Sequence, residues 1–381
     1  MLKISPATVF TYLLFIPLII TYHFYEDIKQ IFYLLAPLSI ALILCIYLYD
    51  HKKRDINLHY GILQTLALYF LACAISLFFN FQDIYWFTAV RDMIIISSPL
   101  LIFMVRYEFV NHHIIALFIT SFICYLIWIQ FKIEFIHIKS LFESNYDWRH
   151  EYDYGTIVGP FILYFLYKKD YKMLLLSLLF LLLVNKRATF MGLLPAFFTY
   201  YVIIKFFKID ENKNVLIAFL MFYYFSFYII SINLPFFASM FLGLFGKGEI
   251  LLDNFLTGRV IMINELQPEL YNRGPVAYLF GNGVGQADYY LWKVIKNPVY
   301  NFYVKPVNPH NDYLKLHFDV GLLGVVVYFF MAYYMYVHNS GLGILMFLYT
   351  IPLLLIDNGL IYYFNLIVTC IISRADNDGK T

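Results

Sequence analysis

The chain has 381 residues, of which 62% are apolar and 14% are charged, and its mean hydropathy is +0.69. Soluble globular domains carry about 25% charged residues, so this composition excludes a soluble protein and predicts an all-α integral membrane protein. The net charge of +2 gives no sign of a nucleic-acid partner. The 36 Tyr and 40 Phe residues are typical of side chains that lie at the level of lipid headgroups.

Apolar runs near the spanning length of about 20 residues predict about twelve transmembrane helices. With the N-terminus in the cytoplasm, the cytoplasmic pieces hold thirteen Lys and Arg residues and the short outer loops hold six, as the positive-inside rule requires. We therefore predict one polytopic membrane domain over 1–381, with the first apolar run retained as a helix. The predicted spans are 7–25, 31–49, 58–79, 85–105, 112–131, 154–167, 171–184, 188–207, 214–233, 313–337, 341–356 and 359–373.

Two outer segments are long enough to have a role of their own, 132–153 and 234–312. The second joins spans nine and ten, and its composition predicts order. It begins with an apolar stretch, contains a predicted helix from Thr257 to Tyr271, and then has a glycine turn at 281–285. We predict that 234–312 forms a small helical cap over the outer mouth of the bundle.

The cysteines lie inside apolar runs, far apart and without the spacing of metal ligands. This placement is typical of small core side chains, so no disulfide, metal site or cofactor is expected. The four residues are Cys45, Cys73, Cys124 and Cys370.

Charged and polar groups from three distant places are predicted to meet on the outer side. Lys186 and Arg187 join spans seven and eight at the membrane boundary, Arg259 opens the cap helix, and His310 with Asn311 closes the cap. Two guanidinium groups offer forks of donors that suit the oxygens of a diphosphate. A neutral histidine can accept a proton from an attacking hydroxyl that lies within reach.

Each of these features also has a purely structural explanation. A boundary arginine often reaches to lipid headgroups, and Asn311 or Asp312 can act as the N-cap of span ten. Asp312, Lys315 and Asp319 have helical spacing and can neutralise one another. The structural alternatives further include an ion pair or helix end at Arg91-Asp92 and a simple turn at Gly281, Gly283 and Gly285.

The stretch Pro309-His310-Asn311-Asp312-Tyr313-Leu314, followed by Asp319-Val320-Gly321-Leu322-Leu323-Gly324, resembles the signature of the bacterial O-antigen polymerase and O-antigen ligase superfamily. The glycine turn at 279–285, the loop arginine in 257–259 and the boundary arginine in 185–189 are similar to further motifs of that family. The chain departs from the family's pattern at Asp319, where the family usually carries glutamate.

The resemblance implies a membrane fold of the glycosyltransferase C type in the bacterial inner membrane, with a metal-independent, inverting active site that faces the periplasm. The implied donor is a glycan on undecaprenyl diphosphate. Arg187 and Arg259 would neutralise the leaving diphosphate, and His310 would activate or orient the acceptor hydroxyl. The further candidates for substrate binding are Lys186, Arg149, Arg273, Asn311 and Asp319.

Three activities remain open. A polymerase, which we favour, would extend a lipid-linked repeat unit, whereas a ligase would transfer the polymer to the lipid A core. Either enzyme would work beside a flippase, and a polymerase beside a chain-length regulator. The alternative from another class is a flippase or transporter of lipid-linked oligosaccharide, for which charges should run through the bundle near broken helices.

Overall fold

The computed structural model describes residues 60–80, 85–97, 111–132, 153–184, 186–244, 259–294, 310–337, 341–356 and 363–375. Regular structure in these ranges is entirely helical, so the predicted all-α fold is confirmed. The α-helices are α1 (Tyr60–Phe79), α2 (Trp86–Ser97), α3 (Asn111–Lys132), α4 (Val158–Tyr167), α5 (Tyr171–Val184), α6 (Arg187–Phe197), α7 (Lys213–Ile232), α8 (Leu234–Leu244), α9 (Arg259–Asn272), α10 (Gly274–Phe280), α11 (Gln286–Val294), α12 (Asp312–Tyr336), α13 (Gly341–Ile356) and α14 (Tyr363–Ser373).

The predicted spans from 58–79 onward each overlap one of these helices, and the predicted span 171–184 has the same bounds as α5. The predicted span 188–207 continues past α6 through a π-helix, Phe198–Ile204. The predicted spans 7–25 and 31–49 lie outside the described residues. By length and composition, two described helices, α7 and α12, are able to cross a membrane, and six further apolar stretches are shorter. The count of twelve spans therefore stays a prediction.

Helix α7 shows how these sequences form apolar helices. Asn212 caps its first turn, because the Asn212 side-chain oxygen accepts hydrogen bonds from the backbone N–H groups of Asn214 and Val215. The buried face repeats at helical spacing through Leu216, Leu220, Tyr224, Tyr228 and Ser231. Its exposed face is apolar as well, with Phe222 72% exposed, which suits hydrocarbon better than water.

Helix α13 forms the centre of the bundle, and its side chains from Leu342 to Leu355 are buried. Tyr349 fixes the position of α13 along α4, because the Tyr349 hydroxyl donates a 2.5 Å hydrogen bond to the carbonyl of Thr156, two residues before α4. Gly159 on α4 and Gly192 on α6 both face the Tyr349 ring, and a Cβ at either position would collide with it. Small residues thus let three helices approach closely, as is usual inside membranes.

Helix α12 is broken, which its apolar sequence did not predict. Gly321 has φ 74° and ψ −175°, so it divides α12 into residues 312–320, here called the half-helix, and residues 322–336. The Tyr224 ring lies 5.2 Å from the Tyr313 ring and 5.4 Å from the Phe329 ring. A straight helix would separate residues 313 and 329 by about 24 Å, so α12 bends at the break.

The predicted cap, 234–312, contains α8, α9, α10 and α11 in its described parts. The predicted cap helix is present as α9, which ends at Asn272, and the chain then starts α10 at Gly274-Pro275. Both α10 and α11 pack against α12, and α11 also packs against α2. That the cap lies over the outer mouth of the bundle stays a prediction.

Candidate functional site

The break in α12 is formed together with the glycine turn. Gly281, Gly283 and Gly285 all have positive φ, which confirms the predicted turn at 281–285. A Cβ at Gly281 would collide with the Asp319 carbonyl, and a Cβ at Gly321 would collide with the backbone of Leu279. The turn and the broken helix therefore touch backbone to backbone, and only glycine permits this approach.

The carbonyl groups next to the break find new partners. The Phe318 carbonyl accepts a 2.8 Å hydrogen bond from the Asn282 N–H, and the Asp319 carbonyl accepts one of 3.1 Å from the Gly283 N–H. The Ser76 hydroxyl on α1 donates a 2.5 Å bond to the same Asp319 carbonyl. Buried carbonyl groups at a helix break need hydrogen-bond donors from elsewhere in the protein, and these three bonds supply them.

Beside the break lies a buried group of five charged side chains, which we call the ion network: Arg91, Asp92, Asp288, Lys315 and Asp319. The Lys315 ammonium lies 2.8 Å from Asp92, 2.7 Å from Asp288 and 3.1 Å from Asp319. Arg91 Nε donates to Asp92 at 2.7 Å, and Arg91 Nη2 pairs with Asp288. The network joins α2, α11 and the half-helix.

The ion network holds three carboxylates and two cations, so its formal charge is −1 with all groups ionised. None of the five side chains is more than 10% exposed. Asp92 Oδ2 lies 2.8 Å from the Lys315 ammonium, so the two groups form a close ion pair. Asp319 also caps α11, since its Oδ1 accepts a 2.7 Å bond from the Ala287 N–H. Within the described ranges, no three His, Cys, Asp or Glu side chains are arranged to hold a metal ion.

His310 stands directly before the half-helix. Its φ is 50°, a left-handed conformation that is uncommon outside glycine and enriched for His, Asn and Asp. Its side chain is half-buried, whereas every residue from 311 to 320 is buried. The polar turn thus exposes part of one imidazole and encloses the residues that follow it.

Asn311, the residue after His310, anchors this turn through its side chain. Its Oδ1 accepts a 3.1 Å bond from the Leu314 N–H and a 2.5 Å bond from the Ser231 hydroxyl of α7. Its Nδ2 donates to the Ser231 carbonyl at 3.2 Å. The N-cap role is confirmed for Asn311, and the same contacts tie the half-helix to α7.

A second histidine, His317, is fully buried between α7 and α10. His317 Nε2 lies 3.1 Å from the Tyr278 carbonyl, which can only accept, so Nε2 carries the proton. His317 Nδ1 then accepts a 2.8 Å bond from the Tyr228 hydroxyl. Both ring nitrogens are used in holding elements together, which leaves His317 no part in chemistry on a substrate.

Four of the eight predicted site residues lie on the half-helix, directly before it, or one contact away from it. They are His310, Asn311, Asp319 and Arg273. Arg273 lies between α9 and α10, pairs with Glu269 at 2.5 Å, and donates to Asn282 at 3.5 Å, while Asn282 itself holds the Phe318 carbonyl. Asn311 and Asp319, predicted to bind substrate, use their side-chain oxygens to hold helices.

The other four predicted residues lie elsewhere or outside the described atoms. Lys186 is buried at the start of α6, beside Gly155. Arg187 is the first residue of α6 and Arg259 the first residue of α9, while their side chains lie outside the described residues. Arg149 lies outside them entirely.

The sequence assigned Arg91, Asp92 and Asp288 to no site, and it placed Lys315 in the polar cluster at the start of span ten without a role in the reaction. Two of its structural alternatives are confirmed, since Arg91 pairs with Asp92 and Lys315 with Asp319. The available signal was the position of Arg91-Asp92 two turns inside an apolar run, because ionisable residues at such depth generally pair within the bundle or mark a functional site.

Comparison of the chain with protein-family models, with curated proteins and with solved structures finds no match.

Proposed function

We propose that the protein is a multi-pass glycosyltransferase of the bacterial inner membrane that uses a glycan on undecaprenyl diphosphate as donor. The active site faces the periplasm, and the reaction is extension of a lipid-linked repeat unit. The motif from His310 to Gly324 supports this proposal, together with the all-helical fold and two helices able to cross a membrane.

The observation that carries the proposal is the geometry of the His310 turn. A general base needs a fixed position and an imidazole that a substrate can reach. His310 has a half-buried side chain on a left-handed backbone, and the next residue is bonded both to α7 and to the half-helix. The bonds of Asn311 thus hold the backbone next to a histidine that stays partly accessible.

The proposed chemistry assigns separate roles to the base and the cations. His310 accepts the proton of the acceptor hydroxyl while that oxygen bonds to the anomeric carbon and the carbon–oxygen bond to the diphosphate breaks. Arg187 and Arg259 stabilise the negative charge that develops on the leaving diphosphate. Both arginines are the first residues of helices, where the helix dipole also favours an anion.

The remaining predicted residues take supporting roles. Lys186, Arg149 and Arg273 are basic groups that can attract the polyanionic donor. Asn311 and Asp319 act through the half-helix, because their oxygens are occupied by protein donors. A flippase that supplies the donor and a chain-length regulator are the expected protein partners.

The test is release of undecaprenyl diphosphate by the purified, reconstituted protein supplied with lipid-linked repeat units. We expect release with the wild type and its loss in His310→Ala, Arg187→Ala and Arg259→Ala, each variant retaining the wild-type elution profile. A matched control is His317→Asn, at a buried histidine without a proposed role in the reaction; its folded fraction should still release diphosphate. Full release by His310→Ala would refute the assignment of the base.

The ligase alternative differs only in the acceptor. Accumulation of single repeat units on the lipid A core after deletion of the protein indicates a polymerase. Loss of all O-antigen from the core, with lipid-linked polymer retained, indicates a ligase.

One structural observation favours the transporter alternative, namely that the ion network lies beside the break in α12. Buried charges next to a broken helix are typical of transport sites. Lys315 and Asp319, however, lie within the first two or three turns of α12, toward the end that carries His310. Movement of the labelled lipid across vesicles without release of diphosphate would identify a transporter.

A further inference from the structure

The ion network joins three parts of the molecule that are remote along the chain. Arg91 and Asp92 come from α2, Asp288 comes from α11 in the cap, and Lys315 and Asp319 come from the half-helix. Every charge-bearing group faces another, and all five side chains are nearly inaccessible. None of them can touch a glycan or a diphosphate in this arrangement.

The half-helix is the element that the network holds most directly. Lys315 lies one turn below the His310 turn, and the Lys315 N–H donates a 3.0 Å bond to the Asn311 carbonyl. Above that bond the Asn311 side chain is anchored to Ser231 on α7. Below it the Lys315 ammonium is anchored to α2 and α11.

We propose that Lys315 and Asp288 are positioning residues for His310: they clamp the half-helix to the cap and to α2, and so fix the place of the imidazole. The inference rests on the proposed function, in which His310 is the base. Neither residue touches substrate, and each acts through the backbone of residues 311–315. A misplacement of about 1 Å in a catalytic group can lower the rate about a hundredfold.

The alternative is that the network only stabilises the fold. Variants that change or restore its net charge distinguish this role from the positioning of His310. Lys315→Met leaves three carboxylates facing one arginine, so this variant loses both the clamp and the balance of charge. Combining Lys315→Met with Asp288→Asn restores the formal charge of −1 found in the wild type. This double variant still lacks the Lys315–Asp288 ion pair, and the Asp319 cap of α11 is the polar contact that remains between these two elements.

The experiment measures kcat and KM for lipid-linked donor with the reconstituted full-length protein, and thermal stability for each variant. We expect Lys315→Met to lower both stability and kcat, with KM for donor nearly unchanged. The double variant should recover stability and remain slow, about a hundredfold below the wild type. Lys315→Arg should recover kcat, and Lys205→Met, which breaks an exposed ion pair with Asp210, should match the wild type.

A second readout does not depend on turnover. Diethyl pyrocarbonate modifies accessible imidazoles, and mass spectrometry resolves His310 from the buried His317. The modification rate of His310 should change in Lys315→Met and in the double variant, and should stay at the wild-type value in Lys315→Arg and Lys205→Met.

The two readouts distinguish failure of the function from failure of the inference. A double variant that recovers both stability and wild-type kcat, or His310 modification that is the same in every variant, would overturn the positioning role. A wild type that never releases diphosphate, combined with the expected change in His310 modification, would refute the proposed function and leave the positioning role in place.

Discussion

Lys315 controls the charge balance of the ion network. Its ammonium faces three carboxylates, and only Arg91 supplies a second positive charge. Removing one partner from a buried ion pair costs about 3–5 kcal/mol, because the remaining charge stays buried without compensation. Lys315 is therefore the single residue of the network whose neutralisation should be most harmful.

We predict that Lys315→Met lowers the thermal midpoint of the detergent-solubilised protein much more than Asp288→Asn does. The Asp288→Asn variant leaves two cations facing two carboxylates and loses only charge-assisted hydrogen bonds, worth about 1.5–3 kcal/mol. Thermal unfolding followed by tryptophan fluorescence measures both variants. Equal losses would show that charge balance does not control the stability of this region.

The pairs within this network differ in how far the sequence could predict them. Lys315 and Asp319 are four residues apart on one helix, so their contact follows from helical spacing. Asp92 and Asp288 meet Lys315 from positions 223 and 27 residues away, and no local pattern links them. The convergence depends on how α2 and α11 pack, which a single sequence does not reveal.

At the scale of the element, α12 combines an apolar pattern with an interruption. The pattern predicted a span at 313–337 and located both ends within one residue. It did not predict the break, because Gly321-Leu322-Leu323-Gly324 is compatible with a continuous membrane helix. The break requires the glycine turn, about forty residues upstream, whose N–H groups bind the carbonyls of Phe318 and Asp319.

The close approach at the break gives a prediction for Gly321→Ala. An alanine at φ 74° is strained by about 1–3 kcal/mol, and its Cβ would also collide with the backbone of Leu279. Gly274→Ala is the matched control, since Gly274 has φ 86° but open space around its Cβ position.

We expect Gly321→Ala to lower the thermal midpoint clearly more than Gly274→Ala, and to reduce the yield of monodisperse protein. Both variants place alanine at a positive φ, and only Gly321→Ala adds the collision with the Leu279 backbone, so this collision contributes to the difference between them. Similar losses would mean that the turn and the broken helix are not held in the close contact described above.

At the scale of the molecule, composition and apolar runs predicted the all-α fold and the ten described helices that overlap predicted spans, but not α10 and α11 in the cap. The fold class and the helix positions can be predicted because they depend on the length and hydropathy of single segments, which are local properties of the sequence. The candidate site depends on contacts between distant segments, so the sequence located His310 and Asn311 through a motif and missed Arg91, Asp92 and Asp288. The orientation of the bundle rests on the distribution of Lys and Arg residues.

That orientation gives the last prediction. Lys208 precedes α7 in a predicted cytoplasmic loop, whereas Tyr271 lies on α9 in the predicted periplasmic cap, and both are well exposed. The described native cysteines, Cys73, Cys124 and Cys370, are free and buried, so a Cys45→Ser background should react little. A membrane-impermeant maleimide applied to cells with a permeabilised outer membrane should label Tyr271→Cys and leave Lys208→Cys unlabelled.

Labelling of Lys208→Cys should appear only after the inner membrane is also opened, which provides the control for reactivity. The proposed enzyme requires this result, because the diphosphate donor and the His310 turn must meet on the periplasmic side, where the glycan is displayed. The opposite pattern, with Lys208→Cys labelled in closed cells, would place the cap and the ion network in the cytoplasm. A periplasmic polymerase and a periplasmic ligase would then both be excluded, since each needs its catalytic base on the outer face.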